Sequence, residues 1–350
     1  MTDLESCIER LSSPDESERI YAAEDIGYTN DAGAAAALLA RLAEEPSRAV
    51  LEAIFRALFE IEDDAVIDGM MALLDSEDSF LRNQAVGLLR ARCPKSLQAL
   101  EQAFSEGNAD RRKFVIDVVA MLGDAGTSEI YARALKDPDL NVVITAVENL
   151  GHGRKSDLRG PVEALVTRNA HPMLLCACLE TLAQIGEASS IETLRAALSA
   201  GSDLPGYLLP SYLKLLGAKG QPAEVAEIVA RIANPGLAAH AVNALTSMLN
   251  RYPGLPLPRT LIAPLRSIVE RNESPLLAYQ ALRLLGPFLA DDGAFQFTEQ
   301  CLRHPDKAVR IGAVQALREA GGERAGQAIA SVLANETDEE ILQAAGKSGD

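Results

Sequence analysis

The side chains able to do chemistry in this 350-residue chain are few and scattered. The histidines are His152, His171, His240 and His304, and the cysteines are Cys7, Cys93, Cys176, Cys178 and Cys301. His171, Cys176 and Cys178 carry the nitrogen and sulfur atoms that a zinc ion takes, but thiols two apart on a helix point to different sides. Packed thiols and a turn histidine, with no metal, are the expectation. Gly346-Lys347-Ser348 has the ending of a phosphate loop, yet the position that requires the earlier Gly is Ile341, and no strand precedes it. Gly151-His152-Gly153 opens a G-x-G but has Ser156 in the third place and lies between helices. No nucleophile elbow or comparable local signature appears. The sequence therefore assigns no catalytic residue and no cofactor.

An odd number of dispersed cysteines in a large chain differs from the dense, even sets of secreted disulfide scaffolds. The opening MTDLESCIER, with Asp3, Glu5 and Glu9, lacks the basic and then apolar pattern of a signal peptide. Reduced thiols in a cytoplasm are expected.

The elements that position these residues follow from composition and period. Hydrophobic residues make up 48%, aromatics only 4%, and Trp is absent. That hydrophobic share is mostly Ala and Leu, which favour helix over strand. A repeat of about 31 residues runs through the chain. Its anchor positions are Arg19, Leu51, Arg82, Arg112, Val143, Leu175, Gly206, Ala238, Ala278, Arg310 and Leu342, spaced by 30 to 32 residues except for one step of 40. Three residues after each anchor the chain often has a small residue, as in Ala22, Ala85, Ala146, Ala241 and Ala313, and seven after it an aliphatic one. Spacing by three, four and seven is one face of a helix. Another amphipathic segment precedes each, so the unit is a helix pair, with Pro, Asp, Ser or Asn capping the second helix. A pair cannot bury its own apolar face, so the copies must stack.

The run Asp137 to Gly151, DPDLNVVITAVENLG, and the run Asp306 to Leu317, DKAVRIGAVQAL, resemble HEAT repeats, above all the bacterial HEAT-like type of bilin lyase subunits. The resemblance implies an all-α fold, a right-handed α-solenoid of about eleven HEAT-like helix pairs spanning 1–350 as a single array. HEAT-like hydroxylases hold a di-iron centre through His-Glu pairs, and none of the four histidines here is followed by Glu. HEAT-like DNA glycosylases need a basic groove with aromatic contacts, which an acidic, Trp-free chain does not supply.

Departures from the repeat give the candidate sites. Asn250 to Thr260, with prolines at 253, 256 and 258, is expected as a stiff insertion, either a surface loop or a partner contact. The last repeat is truncated after Leu342. Residues 1–80 hold 5 basic and 20 acidic residues, net −15, and residues 81–350 hold 28 and 30, net −2. Glu62, Asp63 and Asp64 lie in that acidic stretch, which is either solvated or steers a basic partner. In the central repeats the anchors are not Arg, and the next column reads Ile144, Cys176, Tyr207, Ala239 and Tyr279. On a typical second helix these columns border the concave face. The expectation is an apolar groove of Ile144, Cys176, Tyr207 and Tyr279 beside an acidic run of Asp117, Glu148 and Glu180, with burial between repeats as the alternative.

These features predict a non-enzymatic scaffold or adaptor that binds a partner protein on its curved surface, in a bacterial signalling or assembly complex. The alternative is a bilin-lyase-like or cofactor-maturation subunit. A net charge of −17 is the wrong sign for phosphate or anionic lipid, so neither nucleic acid nor membrane is an expected partner.

Overall fold

The computed structural model describes residues 4–29, 32–74, 76–92, 95–123, 126–168, 171–198, 204–334 and 336–346, and among them every regular element is a helix. Contacts gather into two compact units, Met1–Leu158 and Arg159–Asp350. The first holds the pairs α1 (Leu4–Arg10) with α2 (Glu16–Thr29), α3 (Ala35–Glu44) with α4 (Arg48–Glu60), and α5 (Asp64–Leu73) with α6 (Ser79–Ala91). It continues with α7 (Lys95–Glu106) and α8 (Ala109–Leu122), then α9 (Ser128–Ala134) and α10 (Leu140–His152). The second holds α11 (Arg159–Arg168) with α12 (Pro172–Ile185), α13 (Ala188–Leu198) with α14 (Leu209–Lys219), and α15 (Val225–Ile232) with α16 (Pro235–Arg251). It ends with α17 (Ile262–Arg271) and α18 (Pro275–Leu285), α19 (Asp292–Cys301) and α20 (Lys307–Ala320), and α21 (Gly322–Leu333) and α22 (Glu339–Ala344). Each unit is an α-solenoid segment of stacked pairs.

Side-chain caps start most of the second helices. Ser47, Asp78, Asn108, Asp139, Asn234, Ser274, Asp306 and Asp338 each accept a backbone N–H from the first turn of α4, α6, α8, α10, α16, α18, α20 and α22. Such a cap satisfies a donor that the helix itself cannot, and each is worth about 1 kcal/mol. Downstream, Ala22, Ile54, Ala85, Val115, Ala146, Cys178, Ala241, Ala281 and Ala313 are fully buried, as are Ile26, Leu58, Leu89, Val119, Leu150, Leu182, Leu245, Leu285 and Leu317. Small side chains let neighbouring second helices approach at backbone distance. A Cβ on Gly217 of α14 would lie 2.6 Å from the Ala244 Cα of α16, and one on Gly27 of α2 would lie 3.0 Å from the Ala57 Cα of α4.

The anchor column does not border an open face. It stands four residues after the N-cap, in the first helical turn, where side chains lean back toward the N-terminus. Arginines there close the preceding turn. Arg19 donates from Nη1 to the Ser13 and Pro14 carbonyls, and Arg310 to those of His304 and Pro305. Arg19 also grips Glu45 with two hydrogen bonds of 2.9 and 3.0 Å, and Arg112 grips Asp137 at 2.7 and 2.8 Å. These carboxylates stand two residues before the N-caps of the next repeat, and each also accepts the N-cap backbone N–H, from Ser47 and from Asp139. One side chain thereby ties two consecutive turns together. In α4, α10, α12, α16 and α18 the anchor is apolar and buried: Leu51, Val143, Leu175, Ala238 and Ala278 are at most 6% exposed, whereas Leu342 of α22 is half-buried. The expected apolar border of a concave groove is therefore interior packing at this column.

Between α16 and α17 the non-helical stretch runs from Tyr252 to Pro258, with Gly254 at φ +79. At the end of the chain α22 buries Ile341, and the Ala344 carbonyl accepts from Arg318.

Two outcomes test these constraints. Gly217→Ala should destabilise by about 1–3 kcal/mol, because the new methyl meets backbone that cannot yield. Gly87→Ala, where a Cβ meets nothing within 4 Å, should stabilise by up to about 1 kcal/mol in urea unfolding. Equal effects would mean that α14 and α16 are not in close contact. For Glu45, burial pushes the pKa up, but the Arg19 hydrogen bonds, the Ser47 amide and Arg41 outweigh it and hold the carboxyl below its ordinary 4.5. A depressed carboxylate stabilises fully above its unfolded pKa and loses that contribution as the pH falls through the folded one. The gap in urea midpoint between the native chain and Glu45→Gln should be constant above the ordinary carboxylate range and shrink as the pH falls below it. A gap unchanged at the acid end would contradict the ion pair.

Candidate functional site

The ladder of polar contacts that links one second helix to the next centres on positions five or six residues after the anchors, a turn beyond the arginine column, and extends from Tyr279, one residue after its anchor, to Glu319, nine after. Arg56 of α4 pairs with Glu24 of α2 at 3.0 Å, and Asn149 of α10 donates to Asp117 of α8 at 3.1 Å. In the second unit, Ser211 and Lys214 of α14 both meet Glu180 of α12 at 3.2 Å, and Gln280 of α18 donates to Asn243 of α16 at 2.9 Å. Tyr279 donates from its hydroxyl to Gln315 of α20 at 2.6 Å, and Arg283 pairs with Glu319. This side of each stack also carries open clefts. They measure about 470 Å³ between α2 and α4, 480 Å³ between α4 and α6, and 500 Å³ around Lys214, His240 and Ser247.

The structure redistributes the residues singled out in the sequence. Asp117 and Glu180 are ladder acceptors, while Glu148 is exposed on α10. Ile144 is buried, so it faces the core and lines no groove. Tyr207 is 49% exposed, but it stands in the short 3-10 turn Gly206–Leu208 and not in a second helix. Pro210 is the reason: a helix that started at the usual distance before Gly206 would carry this proline in its interior, so α14 starts at Leu209 with Pro210 in its first turn. Cys176 is half-buried with its sulfur 3.8 Å from the Tyr207 carbonyl, and burial raises its pKa. Tyr279 is half-buried and spends its hydroxyl on Gln315. Of the four expected groove residues, Cys176 and Tyr207 come together.

The acidic trio lies between α4 and α5. Asp63 caps α5 by accepting from the Ala65 N–H at 2.9 Å, Asp64 pairs with Lys95 at 3.1 Å, and Glu62 is exposed. Asp63 therefore has a structural duty that its place in an acidic run did not reveal.

No convergent chemistry emerges among the described residues. His171 occupies the N-cap position of α12, and Cys178 is buried in the core with its thiol pushed up to about 12. No three His, Cys, Asp or Glu side chains gather as a metal ion would require, and no helix is long and apolar enough to cross a membrane, within those residues. Cys93, Lys347 and Ser348 lie outside the described residues.

A row of exposed apolar side chains went unread in the sequence. Tyr28, Phe59 and Met121 are 88%, 54% and 55% exposed in the last turns of α2, α4 and α8. They stand nine, eight and nine residues after the anchors Arg19, Leu51 and Arg112, at a similar height along their helices but in two different columns, so no single column of the repeat gathers them.

The HEAT-repeat family model matches residues 4–90 and 262–348. A search of curated proteins finds no match. Among solved structures, importin beta covers 97% of this chain at 14% identity with a TM-score of 0.58. Kap121p, bound to the extreme C-terminus of the protein phosphatase Cdc14p, covers 98% at 11% identity with a TM-score of 0.57. The chain spans 57% and 44% of those two proteins. The CpcE and CpcF complex of phycocyanin lyase from Nostoc sp. PCC7120 matches 71% of this chain and 95% of its own at 18% identity, with a TM-score of 0.27 that carries no structural argument. Residues 4–90 and 262–348 are thus HEAT repeats, and helix pairs of the same period lie between them.

Proposed function

We propose that this protein is a non-enzymatic scaffold that holds a partner protein on the side formed by its second helices. The observation that carries this reading is the distribution of surface features. The interhelical polar ladder, the open clefts and the row Tyr28, Phe59 and Met121 all belong to second helices. Concave, mostly preformed surfaces with a few polar groups are where binding concentrates. The buried thiols and capped turns, in contrast, are committed to packing. A net charge of −17 disfavours phosphate-rich partners, which leaves protein surfaces as the best-matched class. In Kap121p a fold of this kind seats the terminus of another protein, which is consistent with a stack of helix pairs holding a peptide.

Site-directed photo-cross-linking in native lysate tests the proposal. A photoreactive side chain at Glu52 or Asn243, on second helices, should give discrete protein adducts. The same group at Gln102 or Glu192, exposed on the first helices α7 and α13, should give none. Equal yields from both sides, or adducts from α7 and α13 alone, would overturn the assignment.

A further inference from the structure

We infer that the insertion between α16 and α17 is itself a docking ligand. Leu255-Pro256-Leu257-Pro258 is a preformed polyproline II strand that, together with Arg259, fits an aromatic groove with an acidic rim on a partner protein. This contact uses none of the second-helix clefts and goes beyond the scaffold reading. The step of 40 residues from Ala238 to Ala278 exceeds the steps of 32 on either side by eight. Part of the excess lengthens α16, which has 17 residues against 11 in α14 and in α18, and the rest lies in the non-helical stretch Tyr252 to Pro258.

Covalent geometry restricts every residue of the strand. The ring holds φ of Pro256 and Pro258 near about −65°, and a residue that precedes proline is pushed to extended backbone, which applies to Leu255 and Leu257. Pro258 stands at φ −73 and ψ 140, in the polyproline II region. Both ends are pinned. Arg251 donates to the Gly220 carbonyl and lies 5.1 Å from the centre of the Tyr252 ring, and the Leu255 N–H donates to the Tyr252 carbonyl at 3.2 Å. The Pro258 carbonyl accepts from the Leu261 N–H at 3.0 Å. Between these points the carbonyls of Leu255, Pro256 and Leu257 accept no hydrogen bond from the described residues. Pro256, Pro258 and Arg259 are exposed, whereas Leu255 and Leu257 are half-buried, so the strand offers proline rings and carbonyl oxygens. Prolines at alternate positions make a poor sheet edge, but rings and open acceptors on a stiff strand are what aromatic grooves recognise, with little ordering left to occur on docking.

Charge sets the rim of that groove. No Asp or Glu occurs from residue 228 to residue 269, a run that holds Arg231, Arg251, Arg259 and Arg266 in a chain of net charge −17. Arg251 is spent on Gly220, and Arg266 pairs with Glu270 at 3.8 Å. The Arg259 side chain is exposed and makes no ion pair or hydrogen bond with the described residues. With three residues per turn, Arg259 follows Pro256 along one edge of the strand, where its guanidinium can take a carboxylate through two parallel bonds.

The test uses the full chain and, as probe, an isolated WW domain of net negative charge, a module whose aromatic groove takes short polyproline II runs. The chain contains no Trp, so the indole of the probe's groove reports binding without background. Titration should change that fluorescence saturably with a Kd below about 1 mM, and raising salt from about 0.05 to about 0.3 M should weaken it. The double variant Pro256→Ala with Pro258→Ala should bind at least about tenfold more weakly, and Arg259→Glu at least about fivefold, with helical circular dichroism unchanged in both. Should the proline variant lose helix, Arg259→Glu, which leaves the strand's backbone intact, decides instead. Absence of a saturable change up to about 1 mM overturns the inference, as does full affinity in either variant.

Discussion

The fold depends on the closeness with which consecutive second helices approach. A two-helix repeat has too little apolar surface to hold itself together, so its stability lies in the interfaces with its neighbours. Those interfaces need small residues at the contact. Gly27 over Ala57 and Gly217 over Ala244 bring backbones to distances that any larger side chain would prevent, and the fully buried Ala22, Ala85, Ala146, Ala241 and Ala313 continue the seam. The aliphatic column then fills the space between helices with residues of nearly constant size, Ile26, Leu58, Leu89 and Leu150 among them.

Close stacking brings the turns of successive repeats together, and their polar groups must find partners there. The arginine anchors do this with directional bonds, binding the carbonyls of their own turn and a carboxylate of the next. The carboxylate in turn orders an N-cap by accepting its backbone N–H. The geometry is bidentate and largely buried at Arg19 and Glu45, which gives it more directional value than an exposed ion pair has. Where the anchor is Val143, Leu175 or Ala278 the same position packs as core, so the repeats vary in how the turn is held while keeping their spacing.

Function is then left to the surface that neither the seam nor the turns consume. Because the first-turn positions lean into the turns and the third and seventh columns into the seam, the side chains free to meet a partner are those of the ladder and of the last helical turn. Reactive groups are spent elsewhere: Cys178 and Cys301 are buried, with thiols pushed up to about 12 and about 11, so they are poor nucleophiles at neutral pH. On the proposed scaffold reading, selectivity comes from the shape and charge of the surface that crosses several repeats.

Much of this was legible in one dimension. The 31-residue period, the helix pairs, the buried columns, the capping residues and the HEAT-like run Asp306 to Leu317, which the family model matches, all follow from local spacing, because a helix repeats its face every three to four residues whatever it packs against. The excess acidity of the first 80 residues is likewise a property of the chain alone. Exposure is a different kind of quantity, since it depends on how each helix is rotated within the stack and on what the adjacent repeat presents. Spacing could not tell that Ile144 points inward, that Tyr207 falls in a turn displaced by Pro210, or that Asp63 is a cap. Nor could it show that Arg19 reaches Glu45, 26 residues away, rather than an open face. Helix geometry fixed the columns, and only the packing of one repeat on the next decided which columns face the core, the turns or a partner.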